Sequence, residues 1–146
     1  MSSVMHNRET ARTALEQVCS SRNFALAPEC YAADFADHVN GLHFHGLDGV
    51  RRSTELYQAL FDDLSIQVVD QFGEADHVAS RWVMRGSNRG RRVELSGITI
   101  SRLREGRIVE DWTASDGIDL LRALGVLRVL RAAPRMLKAL RMARPK

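Results

Sequence analysis

The chain has 146 residues, 45% of them hydrophobic and 27% charged, which suits one globular domain able to bury a core and an internal cavity, and needs no second domain. Its formal charge of +3 hides a division: residues 1–121 carry 13 Lys and Arg against 18 Asp and Glu, a net of −5, while residues 122–146 carry eight basic residues and no acidic one. Two cysteines, Cys19 and Cys30, are too few for a disulfide scaffold and lack metal-ligand spacing, and no apolar run reaches the length of a signal peptide or a membrane span, so reduced thiols in a cytoplasmic protein are expected.

Ser2 or Ser3 is placed to cap a first helix, whose apolar positions Val4, Ala11, Ala14, Leu15 and Val18 recur at helical spacing up to Ser20 and Ser21. A short second helix is expected over Asn23 to Tyr31. An irregular segment from Asp34 to Gly46 follows, then a third helix from about Asp48 to Leu64 with Val50, Leu56, Tyr57, Leu60 and Phe61 on its inner face. From Ile66 the period changes to two, predicting strands near 65–72, 76–86, 91–104 and 107–115, with reversals at Gly73, Gly86 with Gly90, and Gly106. Short connections favour antiparallel neighbours, so the expected class is α+β: a curved, mostly antiparallel sheet with helices on one side and a closing helix from Ile118. The division of the chain is a domain over 1–125 and a basic amphipathic tail over 126–146.

The last strand carries the most chemistry. If its alternation is unbroken, Ile108, Glu110, Trp112, Ala114 and Asp116 share one side. A carboxyl beside an indole ring is partly stripped of water, which raises its pKa and suits it to proton transfer near neutral pH. Asp116 also precedes Gly117-Ile118-Asp119, where Asp is a favoured helix cap, so capping and catalysis are both open on the residues alone.

The order of elements, together with Tyr31-Ala-Ala-Asp34-Phe35-Ala-Asp37-His38, His45-Gly46-Leu-Asp48-Gly49, Phe61-Asp62-Asp63-Leu64, Arg81-Trp82 and Gly106-Arg-Ile-Val-Glu110-Asp-Trp112-Thr-Ala-Ser-Asp116, resembles the SnoaL-like polyketide cyclases of the nuclear transport factor 2-like superfamily. The resemblance spans roughly residues 8–125. It implies a cone-shaped α+β barrel around a deep apolar pocket, a homodimer formed through the sheet, Asp116 as general acid/base, and His38 as a substrate-binding group. It tips the two readings of Asp116 towards catalysis. A further His found on a central strand in the polyketide cyclases proper has no counterpart among Ile98, Thr99, Ile100, Ser101 and Arg102, which argues against an anthracycline-type substrate.

Aldol ring closure needs a base, an apolar chamber and a donor for the developing enolate, and no cofactor. Asp116 supplies the base in this reading, and His38 or Arg85 polarises the carbonyl. Trp112, Trp82, Met84 and Phe35 shape the chamber, with Tyr57 from the third helix among the substrate-binding residues. The expected function is therefore ring closure or isomerisation of an apolar, ketide-like or terpenoid metabolite. The alternatives are an epoxide hydrolase or hydroxylase of the same fold, or a non-catalytic binder. Arg81 and Arg85 would need to face the cavity for the epoxide reading, and neither has an Asp two residues before it, since Ala79 and Val83 stand there. The spacing of His38, His43 and His45 is better read as loop histidines than as a metal site, because no matching ligand follows on a later strand.

In the tail, Arg122, Arg128, Arg131, Arg135, Lys138, Arg141 and Arg144 recur mostly every three or four residues and Leu127, Leu130, Leu137 and Leu140 keep a similar rhythm, predicting an amphipathic helix kinked or restarted at Pro134. Folding over its own acidic body, or a solvated and partly disordered extension, is the preferred reading. Docking to an acidic partner such as an acyl carrier protein, or to an anionic membrane surface, is the alternative. Nucleic acid is not an expected partner, because the tail has no aromatic residue for stacking and the body would repel phosphate.

Overall fold

The computed structural model describes residues 3–141; the proposed cap Ser2 and the basic Arg144 lie outside them. Helix α1 (Ser3–Thr13) passes directly into π-helical turns over Ala14–Ser20, and Ala11, Ala14 and Val18 form its buried stripe. A 3₁₀ turn (Phe24–Leu26) and the single turn α2 (Ala27–Cys30), opened by Pro28 in its first turn, replace the continuous second helix expected from the spacing. Helix α3 (Gly46–Gln58) is shorter than its apolar pattern suggested. The chain leaves it because the Asp62 N–H donates to the Ser87 carbonyl at 2.7 Å, which recruits the next residues into the sheet.

Six strands form one mixed sheet in the order β2-β1-β6-β5-β4-β3. Four of them, β3 (Asp63–Glu74), β4 (His77–Asn88), β5 (Arg91–Arg104) and β6 (Arg107–Ser115), are the antiparallel meander the alternation predicted. The segment expected to be irregular instead holds β1 (Tyr31–Val39) and β2 (Leu42–His45), and β1 runs parallel to β6. Its alanines and aspartates are poor strand formers, and burial between β2 and β6 overrides that preference. The sheet curves around the helices without closing, so the shape is an open cone and not a complete barrel.

One extra residue decides which side chains face inward. Arg102 of β5 is opposite Glu110 while the next residue, Leu103, is opposite Ile108, so Val109 is a bulge in β6. A one-residue insertion inverts the facing of everything after it. Ile108 remains inside, but beyond the bulge Asp111 is buried and Thr113 points into the cone, while Trp112 and Ala114 face out.

The tail folds onto the body. Helix α4 (Gly117–Leu124) and helix α5 (Val126–Leu140) meet at Gly125, whose φ of +78° sits in the left-handed region favoured by glycine. Pro134 lies inside α5 without interrupting it, and the break expected there falls at Gly125 instead. Leu120, Leu124, Val129, Ala132 and Met136 join the cluster of Trp82, Met84 and Leu95, while Ala139 joins Val39, Phe44 and Leu56.

Candidate functional site

The inward side chains of β1, β4, β5 and β6 enclose a cavity of about 60 Å³ between the sheet, α3 and the π-helical turns. Its wall is mostly apolar: Leu15, Val39, Val50, Ile66, Trp82 and Met84 line it, with Tyr31 and Tyr57. This is narrower than the deep pocket implied by resemblance, since pockets for drug-sized ligands run to roughly 300–1,000 Å³. Apolar side chains of α4 and α5 occupy the volume beside Trp82 and Met84, so the cavity admits a reacting end and not a whole polycyclic ligand.

Two carboxyl groups stand in this apolar wall. Asp37 of β1 and Asp111 of β6 are directly paired across the parallel strands, and both are buried. Ser53 lies beside the Asp37 carboxyl and Ser101 beside that of Asp111, while Asp111 Oδ1 is buried with no hydrogen-bond partner among the described residues. Burial pushes the Asp37 pKa up to about 6, against smaller lowering by Ser53 and His38. Burial and then the neighbouring Asp37 charge push Asp111 well above the ordinary carboxylate range. Two such groups titrate as a unit, and burial together with the Asp37 charge favours the protonated form of Asp111.

Around the pair is a short chain of hydroxyls. Trp82 Nε1 donates to Thr99 Oγ1 at 3.0 Å, and Thr99 Oγ1 is 2.9 Å from Thr113 Oγ1. At the other side of the wall Tyr57 OH lies 3.0 Å from Ser115 Oγ and accepts from Asn40 Nδ2 at 3.1 Å. Cys19 also lines the cavity, but burial raises its thiol pKa to about 11, so it remains protonated and a poor nucleophile.

The residues singled out from sequence separate into three groups. Trp82, Met84 and Tyr57 line the cavity. Phe35 is buried in the adjoining cluster, its ring centroid 4.6 Å from that of Tyr31, and is a core side chain behind the cavity wall. Asp116, His38, Trp112 and Arg85 are elsewhere. Asp116 is the exposed N-cap of α4, accepting from the N–H groups of Ile118 at 3.1 Å and Asp119 at 3.0 Å; the Asp119 bond leads in holding its carboxyl below the ordinary range. His38 and Trp112 stack on the outer face of the sheet, ring centroids 5.8 Å apart. There His38 Nε2 meets Glu110 Oε1 at 2.9 Å and its Nδ1 meets His43 at 2.6 Å. Arg85 pairs outside with Glu94 at 2.9 Å, and Arg81 with Asp70, so the Trp82 and Met84 side of β4 is the one that faces inward.

Alternation counted from Ile108 missed Asp111 because of the bulge. Asp37 was missed because its segment was expected to be irregular; once β1 is a strand, Phe35, Asp37 and Val39 share its buried side. Because Asp116 serves the helix terminus, Asp116→Ala is expected to lower the melting temperature by a few degrees, while Asp116→Asn, an equally good cap, leaves it unchanged. Thermal unfolding by circular dichroism reads both.

An open cone of sheet on helices, with a polar floor in an apolar cavity, is the α+β architecture of the nuclear transport factor 2-like proteins. The chain belongs to the SnoaL-like polyketide cyclase family, whose pattern matches residues 9–124. Among solved structures it is similar to a loop-truncated variant of IdmH, with 31% identity, a TM-score of 0.73, and 82% of this chain and 99% of that chain covered. Wild-type IdmH, a candidate polyketide cyclase from Streptomyces antibioticus, gives 29% identity and a TM-score of 0.72 with the same shares of each chain. AclR, a candidate hydroxylase from Streptomyces galilaeus, gives 19% identity, a TM-score of 0.70, and 84% and 97% of the two chains; at that identity it bears on the fold alone. No curated protein resembles the chain closely enough in sequence to count as a match.

Proposed function

We propose that the protein is a cofactor-independent acid/base enzyme that closes a ring in, or moves a double bond within, an apolar ketide-like metabolite, with Asp37 as base and Asp111 as acid. The observation that carries this is the pair of buried carboxyls, Asp37 and Asp111, facing each other across adjacent strands in the cavity wall. Two like groups whose surroundings push their pKa values apart form a natural base and acid. In ring closure, Asp37 takes the proton from a carbon between two carbonyls while Asp111 hydrogen-bonds the carbonyl oxygen that gains charge. The carbanion then attacks a second carbonyl, Asp111 protonates the new alkoxide, and the proton on Asp37 returns to Asp111. For isomerisation Asp37 returns its proton to a different carbon. Trp82, Met84 and Tyr57 position the reacting end and keep it dry.

This reading takes the catalytic part away from Asp116 and His38, because a capped surface carboxylate and an outward imidazole cannot reach a substrate in the cavity. It also leaves the epoxide hydrolase alternative without its cation, since both Arg81 and Arg85 point away. A test independent of the natural substrate is deuterium exchange into small 1,3-diketones in heavy water, followed by NMR. Exchange by the wild-type protein that disappears in Asp37→Asn supports the proposal; equal exchange by both, or none by either, counts against it and favours a binding protein.

We further infer a homodimer through the outer sheet face. Ile98, Ile100 and Trp112 are exposed side by side there, Ile100 directly opposite Trp112 in the register. Twice the chain mass in solution, reduced to one by Ile100→Asp, is the expected light-scattering result.

A further inference from the structure

Helix α5 has two apolar faces, and the body covers only one. Ala132 and Ala139 are buried and Val129 and Met136 pack beside them, which accounts for the face turned to the core. Leu127, Leu130, Pro134 and Leu137 follow at steps of three, four and three, so they share the opposite side of the helix. The three leucines there are 72%, 60% and 53% exposed. Val126, at the start of α5, is exposed as well.

Cations border this stripe. Arg131, Arg135, Lys138 and Arg141 are exposed, and their side chains make no hydrogen bond or ion pair with other described residues, whereas Arg128 spends its guanidinium on the Asn88 carbonyl. Along its length α5 contains no acidic residue, no aromatic one and no neutral hydrogen-bonding side chain. The stretch also lies beyond the family pattern, which ends at residue 124, so the shared cone does not account for it.

We propose that the outward face of α5 docks the protein on an anionic lipid surface, its leucines entering the boundary between headgroups and acyl chains and its arginines and lysine meeting lipid phosphates. The composition favours lipid over a protein partner. Protein hot spots are enriched in Trp, Tyr and Arg and poor in Leu and Val, and protein interfaces are poor in Lys and use directional polar groups that this face lacks. A basic helix with aliphatic side chains between its cations is instead the pattern of an interfacial helix. The charge division fits as well, because a body of net −5 would be repelled by the same surface and leaves the helix side as the approach. The docking stands independently of the carboxyl pair and of turnover.

The test is co-sedimentation of the full-length protein with vesicles of phosphatidylcholine alone, or of phosphatidylcholine and phosphatidylglycerol in equal parts, at low and high salt. The expected result is binding to the anionic vesicles only, weakened by salt, and reduced by roughly tenfold or more in the double variant Leu127→Ser with Leu130→Ser. Those side chains are solvent-exposed, so circular dichroism should show an unchanged fold. No binding to anionic vesicles overturns the proposal. So does binding that survives the leucine substitutions, which would make it a matter of net charge alone, and so does a protein that ignores vesicles but binds a purified acidic acyl carrier protein.

Discussion

Asp37→Asn should make the protein more stable at pH 8 and at the same time lower its turnover by roughly 10²–10⁴-fold, the usual contribution of a positioned base. The stability half follows from proton linkage. The folded Asp37 has a pKa of about 6 against an ordinary 3.8, so between those values the folded state binds more protons than the unfolded one. The contribution of Asp37 to stability is therefore most favourable below pH 4, falls as pH rises towards about 6, and stays at its lower level above; its cost at pH 8 is roughly 2–3 kcal/mol. An amide in place of the carboxyl removes that charge and can donate to Asp111 Oδ1, which has no partner among the described residues. Chemical denaturation at pH 4 and pH 8 checks this: wild type and variant should agree within error at the lower pH and differ at the higher. A gain in stability bought with lost activity marks a site held in a costly arrangement for its chemistry.

Gly97→Ala should destabilise the protein by about 1–3 kcal/mol, and by much less when Trp82 is already Phe. Glycine-to-alanine changes at ordinary strand positions stabilise by roughly 0.4–1 kcal/mol through the unfolded chain. Here the added Cβ would lie within the contact distance of the Trp82 six-membered ring and 2.9 Å from the Ala114 carbonyl oxygen. The indole cannot swing aside freely, because its Nε1 is tied to Thr99. The clash therefore outweighs the entropy gain. Since Phe lacks the ring atoms that would be struck, a double-mutant cycle in urea should show coupling between positions 82 and 97.

Most of the sheet was legible because its signals are local. The limits of β5 and β6 follow from glycine turns and from period-two runs of Val, Ile and Thr, and these agree with the structure residue for residue. Strand β1 was not legible: Ala32, Ala33, Asp34 and Ala36 favour other conformations, and only its parallel pairing with β6, distant in sequence, makes it a strand. The site turned on a single residue. Val109 sits between Ile108 and Glu110 with nothing in its chemistry to declare a bulge, yet it exchanges Trp112 and Glu110 for Asp111 and Thr113 on the inner face. Asp116 had an even choice between cap and base on its neighbours alone, and the resemblance to polyketide cyclases weighted the choice towards chemistry. The sequence left the tail open between packing on the body and a solvated extension, and its inner and outer apolar faces separate only once Gly125 fixes the turn from α4 into α5.

The most direct measurement is a carbon-13 NMR titration of the aspartate carboxyls with Asp37 and Asp111 assigned by substitution. Two coupled transitions are expected, one near pH 6 and one well above the ordinary carboxylate range, with the lower shifting when its partner is replaced. Both side chains titrating independently near pH 4, as solvated carboxylates do, would contradict a coupled pair and with it the acid/base role.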